Sequence, residues 1–368
     1  MKERNQSQKH YNIPIFIPHL GCPYDCIYCD QKKIAAQQEV LRPAQVAAAI
    51  EQCLHTIPKE SSVEVAFFGG NFTAVDRKEQ LCYLTAVQPF LQQGRVQSIR
   101  ISTRPDYINE TILDLLADNG VKMIELGVQS LSDRVLQASA RRYRPEDVFK
   151  SVHLIKDRQF DLGIQLMIGL PQDSYAQDME TTRQVISMQP QAVRIYPTLV
   201  IAGTVLETMW RRGDYIPLGI EEAVSICRDM FLLFQKENIR VIRMGLYPGE
   251  ELRREGVVKA GPFHSSFGEL VEQSIFKQQA RVAISRYFDE HGYGTEINLH
   301  VHFRDISKMV GKQKSSLNEL RKEFKLDLLQ TRSNQMQARN SIGVGRAGSN
   351  DAEYTLTRAE FLAIGQTI

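Results

Sequence analysis

The 368-residue sequence predicts an α/β fold: a parallel sheet rolled into a full or partial (β/α)6 barrel, followed by a small α+β unit. Two observations carry that expectation. Runs rich in β-branched and aromatic residues recur at 13–17, 63–68, 98–102, 122–126, 161–168 and 192–196, and each is separated from the next by a stretch that holds one or two helices. Parallel strands need crossover helices, so this repeat implies a barrel-like sheet with its chemistry at the C-terminal strand ends.

The first run leads into a cysteine-rich loop, after which Pro43 opens an Ala-rich helical stretch to about residue 56. Helical spacing returns at 78–91, 108–118, 145–157 and 176–188, between successive strands. Beyond the sixth strand, 203–212 and 221–236 read as helices. The second carries Ala223, Val224, Cys227, Met230, Phe231 and Phe234 along one stripe, which assigns Cys227 to packing. From about residue 250 the alternation fades. The expected domains are a barrel over 1–250 that includes a basic N-terminal segment (Lys2, Arg4, Lys9), a helical extension over 251–293, and a small basic α+β domain over 294–368.

Composition excludes several classes of protein. With 43% hydrophobic residues and 45 Lys+Arg against 43 Asp+Glu, the chain is neither disordered nor strongly charged. No run approaches the roughly 18 apolar residues of a membrane helix, and the first dozen residues lack the apolar segment of a signal peptide. A cytoplasmic protein with no membrane partner is expected. Six cysteines in a chain of this length are thiols in a reducing cytosol, not a disulfide framework.

Three of them cluster. Cys22-Pro23-Tyr24-Asp25-Cys26-Ile27-Tyr28-Cys29 places three soft ligands on one loop directly after the first strand, while Cys53, Cys82 and Cys227 stand apart. Three ligands leave one coordination position open. Two readings follow: a 4Fe-4S cluster with one iron available to an exogenous ligand, or a Cys3His structural zinc completed by His19.

This cysteine spacing, with an aromatic residue before the last cysteine, resembles the radical S-adenosylmethionine (SAM) superfamily. Further segments resemble its Elongator-like branch in order. They are Phe67-Phe68-Gly69-Gly70-Asn71-Phe72-Thr73, Ser102-Thr103-Arg104-Pro105-Asp106, Glu125-Leu126-Gly127-Val128-Gln129-Ser130, Met167-Ile168-Gly169-Leu170-Pro171, and Arg194-Ile195-Tyr196-Pro197-Thr198-Leu199-Val200, followed by Gly203-Thr204, Trp210 and Arg240–Met244. The resemblance covers about residues 10–250 and implies a partial TIM-like radical SAM barrel. It implies that Cys22, Cys26 and Cys29 hold three irons of a 4Fe-4S cluster while SAM chelates the fourth, and that an electron donor such as flavodoxin or ferredoxin drives cleavage of SAM to methionine and a 5′-deoxyadenosyl radical. It further implies that Gly69, Gly70 and Asn71 bind the methionine amino group. Gln129 with Ser102 or Thr103 would reach the ribose, Arg141 would pair with the carboxylate, and Tyr28 with Ile168 and Gly169 would flank the adenine. Asn71 stands where the superfamily has Glu.

These 368 residues are not expected to hold a counterpart of the acetyltransferase half of the Elongator catalytic subunit, so the reaction product is not expected to follow from the resemblance. The C-terminal region bears on the substrate. Residues 301–340 hold nine Lys/Arg and four Asp/Glu, a local +5, and 306–320 is similar to the helix, G-x-x-G loop and helix of a KH domain, with Lys314 in place of the second glycine. That points to tRNA or another RNA as partner. Gly343, Gly345 and Gly348 form a G-x-G-x-x-G outside a strand-to-helix context, and His264, His300 and His302 read as structural. The expected function is a radical SAM enzyme of RNA modification. The alternatives are a radical SAM enzyme of a tetrapyrrole or other small molecule, and a non-catalytic, metal-stapled RNA-binding protein.

Overall fold

The computed structural model describes residues 9–17, 26–30 and 41–364, and the chain divides into two compact units, 1–219 with 239–263 and 220–238 with 264–368. The first unit is built on a curled, all-parallel half-barrel of seven strands in sequential order. These are β1 (His10–Phe16), β2 (Ser62–Phe68), β3 (Ser98–Thr103), β4 (Val121–Gln129), β5 (Asp161–Ile168), β6 (Ala192–Pro197) and β8 (Arg240–Met244). Two short strands, β7 (Val200–Ile201) and β9 (Val258–Ala260), pair antiparallel beside it. The seventh barrel strand is one more than the hydrophobic runs predict, because Arg240 and Arg243 interrupt its apolar pattern.

Local chemistry fixes the helix starts. Asp76, Asn109, Ser174 and Thr204 each accept a hydrogen bond from a first-turn backbone N–H. Pro89 splits the expected helix at 78–91 into Arg77–Thr85 and Gln88–Gln92, since proline offers no N–H to continue the ladder.

In the second unit, helix Phe267–His291 packs on a four-stranded sheet of order β11-β10-β12-β13. Its strands are β10 (Glu296–Val301), β11 (Leu328–Ser333), β12 (Ile342–Arg346) and β13 (Tyr354–Leu356). β10 and β11 are parallel, and the helices Ile306–Val310 and Ser315–Glu323 form their crossover. Buried Asp305 receives both Arg339 Nε and Nη2 and the Asn340 backbone N–H. Gly343 and Gly345 admit a covering segment: a Cβ on Gly343 would sit 2.5 Å from Ala352 Cβ, and one on Gly345 2.8 Å from Asp351 O. His300 is buried, while His264 and His302 accept backbone N–H groups through Nδ1. Among the described residues no group of three or more His, Cys, Asp or Glu has metal-site geometry, and no helix is long and apolar enough to cross a membrane.

Alternation along the barrel strands separates two faces. Ile99, Ile101, Ile124, Leu126, Ile164, Leu166, Val193 and Ile195 are buried and make the apolar layer of the sheet. The opposite parity carries polar residues. Arg100 Nε and Nη2 both lie 2.7 Å from Glu64 Oε2, Arg100 Nη1 is 3.6 Å from Glu125 Oε2, and Arg194 Nε donates to the same oxygen at 2.9 Å. This chain of ions spans β2 to β6 with side chains of Glu64, Arg100 and Glu125 no more than 5% exposed. Removing one partner from such a pair leaves a buried charge. Glu64→Ala is therefore expected to destabilise the barrel by about 3 kcal/mol, and the joint replacement Glu64→Leu with Arg100→Met to recover most of the loss; urea midpoints of the three proteins check this.

Candidate active site

A cavity of about 600 Å³ opens among the C-terminal strand ends of the barrel. Its first wall is the cysteine segment. Cys26 and Tyr28 are buried and Cys29 is half-buried, and all three line the cavity; Cys22 and His19 lie outside the described residues. Ile27 anchors this segment, its N–H bonding Ser139 O at 3.4 Å and its carbonyl accepting Leu206 N at 2.8 Å. Leu206, Met209 and Trp210 pack against it from helix Val205–Arg212.

The second wall is the turn after β2. Gly69 and Gly70 have φ of +91° and +71°, and a Cβ on Gly69 would meet Ile17 O at 3.0 Å, so both the conformation and the close approach require glycine. Asn71 follows, buried, with Oδ1 accepting from Thr73, Thr103 and the Arg104 N–H. Asn71 Nδ2 has no partner among the described residues. Nor do Tyr28 Oη or Ser102 Oγ among the described residues, although all three atoms are buried. An unpaired buried donor or acceptor costs about 1–3 kcal/mol, so three of them on one cavity lining mark where a polar ligand completes the hydrogen bonding.

The third wall comes from β4 and the loop after it. A register shift between Gly127 and Gln129 and a left-handed φ of +65° at Gln129 turn the strand end, and Gln129 Oε1 accepts from Gln165 Nε2 at 3.3 Å. Arg141 crosses to the cysteines. Its Nη1 donates to Cys26 Sγ at 3.4 Å, its Nε to Tyr143 Oη at 3.0 Å, and its Nη2 to Tyr143 Oη and Gly127 O. One Nη1 hydrogen is left for a ligand. Arg104 approaches the same sulfur at 3.7 Å while bonding Asp106 and Arg141 O. Burial opposes the charge on Arg141, but Tyr143, Tyr28 and Cys26 outweigh it and hold the guanidinium cationic. Burial pushes the Tyr28 phenol well up, against the pull of Arg141, so it stays protonated.

The cavity thus brings together Cys26, Cys29, Tyr28, Gly69, Gly70, Asn71, Ser102, Thr103, Gln129 and Arg141. It does not include Ile168 and Gly169. Ile168 belongs to the outward parity of β5, whereas Met167 faces in; Gly169 sits against Leu218, its carbonyl accepting from Tyr215 Oη at 2.6 Å. Further inward residues, Glu125, Gln165, Arg194, Tyr196, Arg243 and Tyr247, carry no role in the sequence reading. Polar residues two apart inside otherwise apolar strands, such as Glu125 with Gly127 and Gln129, or Arg194 with Tyr196, are the signal that would have found most of them.

A glycine cradle and a loop that presents thiols beside orphaned polar atoms, at the C-terminal mouth of a parallel half-barrel, define a class of protein. Residues 16–185 match the Radical SAM superfamily and residues 190–277 the Radical_SAM C-terminal domain. The chain belongs to the radical SAM superfamily. It is 29% identical over 202 residues to the tRNA uridine(34) acetyltransferase of Methanocaldococcus infernus, covering 50% of this chain and 38% of that protein. It is 34% identical over 131 residues to Elongator complex protein 3 of Homo sapiens, covering 35% of this chain and 24% of that one. Among solved structures, the M. infernus Elp3 with an N-terminal deletion shares the fold, with a TM-score of 0.59 at 24% identity over 79% of this chain and 70% of that one. The chain spans less than two-fifths of these curated relatives. Membership of the superfamily implies a 4Fe-4S cluster and SAM, and the glycine cradle, the two described thiols and the orphaned polar atoms fit them.

A carboxyl pair, half-buried Asp173 and buried Asp178, supports the turn after β5. Asp173 Oδ2 accepts the Gly169 N–H at 3.1 Å and Asp173 Oδ1 the Ser174 N–H at 2.8 Å. Asp178 is pushed up to about 10 by burial and by the adjoining Asp173. The native state therefore holds a proton that the unfolded chain releases near pH 4. This stability is complete in acid and drains away as pH rises towards about 10. Asp178→Asn, neutral throughout, is expected to flatten the decline in unfolding free energy between pH 6 and 9, as read from urea titrations across that range.

Proposed function

We propose that this chain is a radical SAM enzyme that acts on RNA, with a tRNA uridine as the favoured target. The observation that carries the reading is the coincidence, in one cavity, of the cysteine segment, the Gly69–Gly70 cradle and the three unpartnered atoms Tyr28 Oη, Asn71 Nδ2 and Ser102 Oγ. Cys22, Cys26 and Cys29 would hold the cluster. When bound, the cluster and SAM supply reductive cleavage of SAM and a 5′-deoxyadenosyl radical that abstracts hydrogen from an unactivated C–H bond.

The chain's own residues bind, orient and shield. The Gly69–Gly70 backbone suits the methionine amino group, and the remaining Arg141 donor suits its carboxylate. Thr103 holds Asn71 in place, leaving Asn71 Nδ2 and Ser102 Oγ for ribose or methionine oxygens. Tyr28, kept protonated by burial, offers a donor and a ring to the nucleoside. Guanidinium N–H groups aimed at Cys26 Sγ would stabilise negative charge on that ligand and so favour the reduced form of a bound cluster.

Two observations support RNA as the substrate. The relatives named above include a tRNA uridine(34) acetyltransferase, and the crossover between β10 and β11 presents Lys312, Lys314, Lys322 and Lys325 on exposed positions. Lys308 and Arg339 of the same region are held by Glu272 and Asp305, so they contribute to the fold of that unit.

Anaerobic reconstitution is expected to give a brown protein with about four irons per chain. With dithionite and SAM it should release 5′-deoxyadenosine, and Cys26→Ala or Cys29→Ala should abolish both the cluster absorbance and the release. Added tRNA should stimulate release, and a uridine-derived nucleoside should disappear from tRNA of cells lacking the gene. Zinc in place of iron, or tRNA nucleosides identical in both strains, refutes the respective half of the proposal.

A further inference from the structure

The cavity reaches well beyond the cysteine side. Gly127, Gln165, Arg194 and Arg243 are register partners across β4, β5, β6 and β8, forming a rung whose side chains face inward. The two arginines on that rung differ. Arg194 is committed: its Nε donates to Glu125, its Nη1 approaches Tyr196 Oη at 3.4 Å, and its guanidinium lies 5.1 Å from the Phe68 centroid. Arg243 donates Nε to Gly245 O at 3.0 Å, and its Nη1 and Nη2 find neither acceptor nor carboxylate among the described residues. Its guanidinium lies 5.3 Å from the centroid of Tyr247, a ring 61% exposed at the cavity margin.

A half-buried guanidinium with a free planar fork calls for an oxyanion with two acceptors. An aromatic ring with one face open beside it calls for a flat partner. The orphaned polar atoms assigned to SAM come from the cysteine segment, β3 and the turn after β2, whereas Arg243 lies on β8, the far edge of the sheet, and Tyr247 in the segment that follows it. The geometry points to a substrate subsite in which Arg243 takes the phosphate of a nucleotide and Tyr247 stacks on its base. This inference rests on the RNA reading and specifies which residues would grip the target nucleotide.

Equilibrium dialysis of the full chain with uridine 5′-monophosphate, uridine and S-adenosylhomocysteine tests it. The wild type is expected to hold the monophosphate about tenfold tighter than the nucleoside. Arg243→Gln should bring that ratio to about one. Arg243→Lys, which keeps the charge without the fork, should retain part of it, and Tyr247→Ala should weaken both uridine ligands alike. A thermal melt of each variant reports whether it is folded, and the monophosphate-to-nucleoside ratio within one variant is insensitive to a common loss of active protein. An unchanged ratio in Arg243→Gln, or a loss of S-adenosylhomocysteine binding with the ratio preserved, overturns the inference. If the phosphate preference depends on Arg243 while tRNA fails to stimulate 5′-deoxyadenosine release, the subsite stands and the RNA reading falls. If tRNA stimulates wild type and Arg243→Gln equally, the RNA reading stands and the subsite falls.

Discussion

The geometry of the site depends on Arg141. One side chain ties Cys26 Sγ to Gly127 O and Tyr143 Oη, and so locks the cysteine segment to the end of β4. Two features of the backbone exist to place it. Ala140 and Arg142, on either side, adopt left-handed φ values of +56° and +60°, which non-glycine residues adopt at a cost. Gly127 keeps the space beside it tight, since a Cβ there would lie 3.1 Å from Gln129 Nε2 and press on the end of that side chain. The close approach of two arginines to a thiol is electrostatically favourable when that thiol is ionised, as metal ligation requires. Tyr143 then serves both guanidiniums, accepting from Arg141 and lying 5.3 Å from Arg104. An arginine pair would otherwise repel, and the thiol, Tyr143 and Asp106 offset that.

From β2 to β8 the inward parity of the barrel passes through three regimes of polarity. Near the strand starts, Glu64 takes Nε and Nη2 of Arg100. Further along, Glu125 and Arg194 form a second pair, with Tyr196 beside it. At the strand ends the polar atoms lack partners: Tyr28 Oη, Asn71 Nδ2 and Ser102 Oγ on one side, and the Arg243 fork on the other. A buried ion pair contributes little net stability compared with a well-packed apolar pair, but it fixes geometry. Here it also pairs the charges of the lower interior, with Arg100 Nη1 left short of a hydrogen bond among the described residues, whereas the unpartnered atoms at the mouth lie where a ligand can meet them.

Much of the fold was legible in the sequence because the outward parity of each barrel strand is continuously apolar, from Ile13 and Ile15 to Val193 and Ile195. β8 escaped because two of its five residues are arginines, and one of them faces the cavity. The glycine cradle and Gln129 were legible as motifs at strand ends. Ile168 and Gly169 were legible as a motif and yet lie off the cavity lining, because the parity of β5 turns Met167 inward and the left-handed Gly169, at φ +69°, is spent on packing against Leu218. Other motif residues support the scaffold as well. Thr198 caps Ile168 O through both N–H and Oγ1, and Trp210 braces the cysteine segment. A sequence motif marks a place where the backbone must be particular, and only the alternation of the strand decides which of its side chains meets the ligand.

The basic C-terminal region gains definition in the same way. A local charge of +5 over 301–340 is a property of the sequence, but the folded unit divides it. Arg339 is held against fully buried Asp305, and Lys308 lies between Asp305 and Glu272, so these cations organise the start of the β10–β11 crossover. The lysines at 312 and 314 flank Gln313 in a loop whose residues 311, 313 and 314 all have positive φ, with Gly311 fitted against the Ser315 and Ser316 hydroxyls. A turn of that conformation, with no acidic side chain in it, carries two exposed lysines only two positions apart. Electrostatic attraction to a polyanion depends on such uncompensated charge and not on the net count. The net +2 of the whole chain therefore understates how strongly this loop would attract a phosphate backbone.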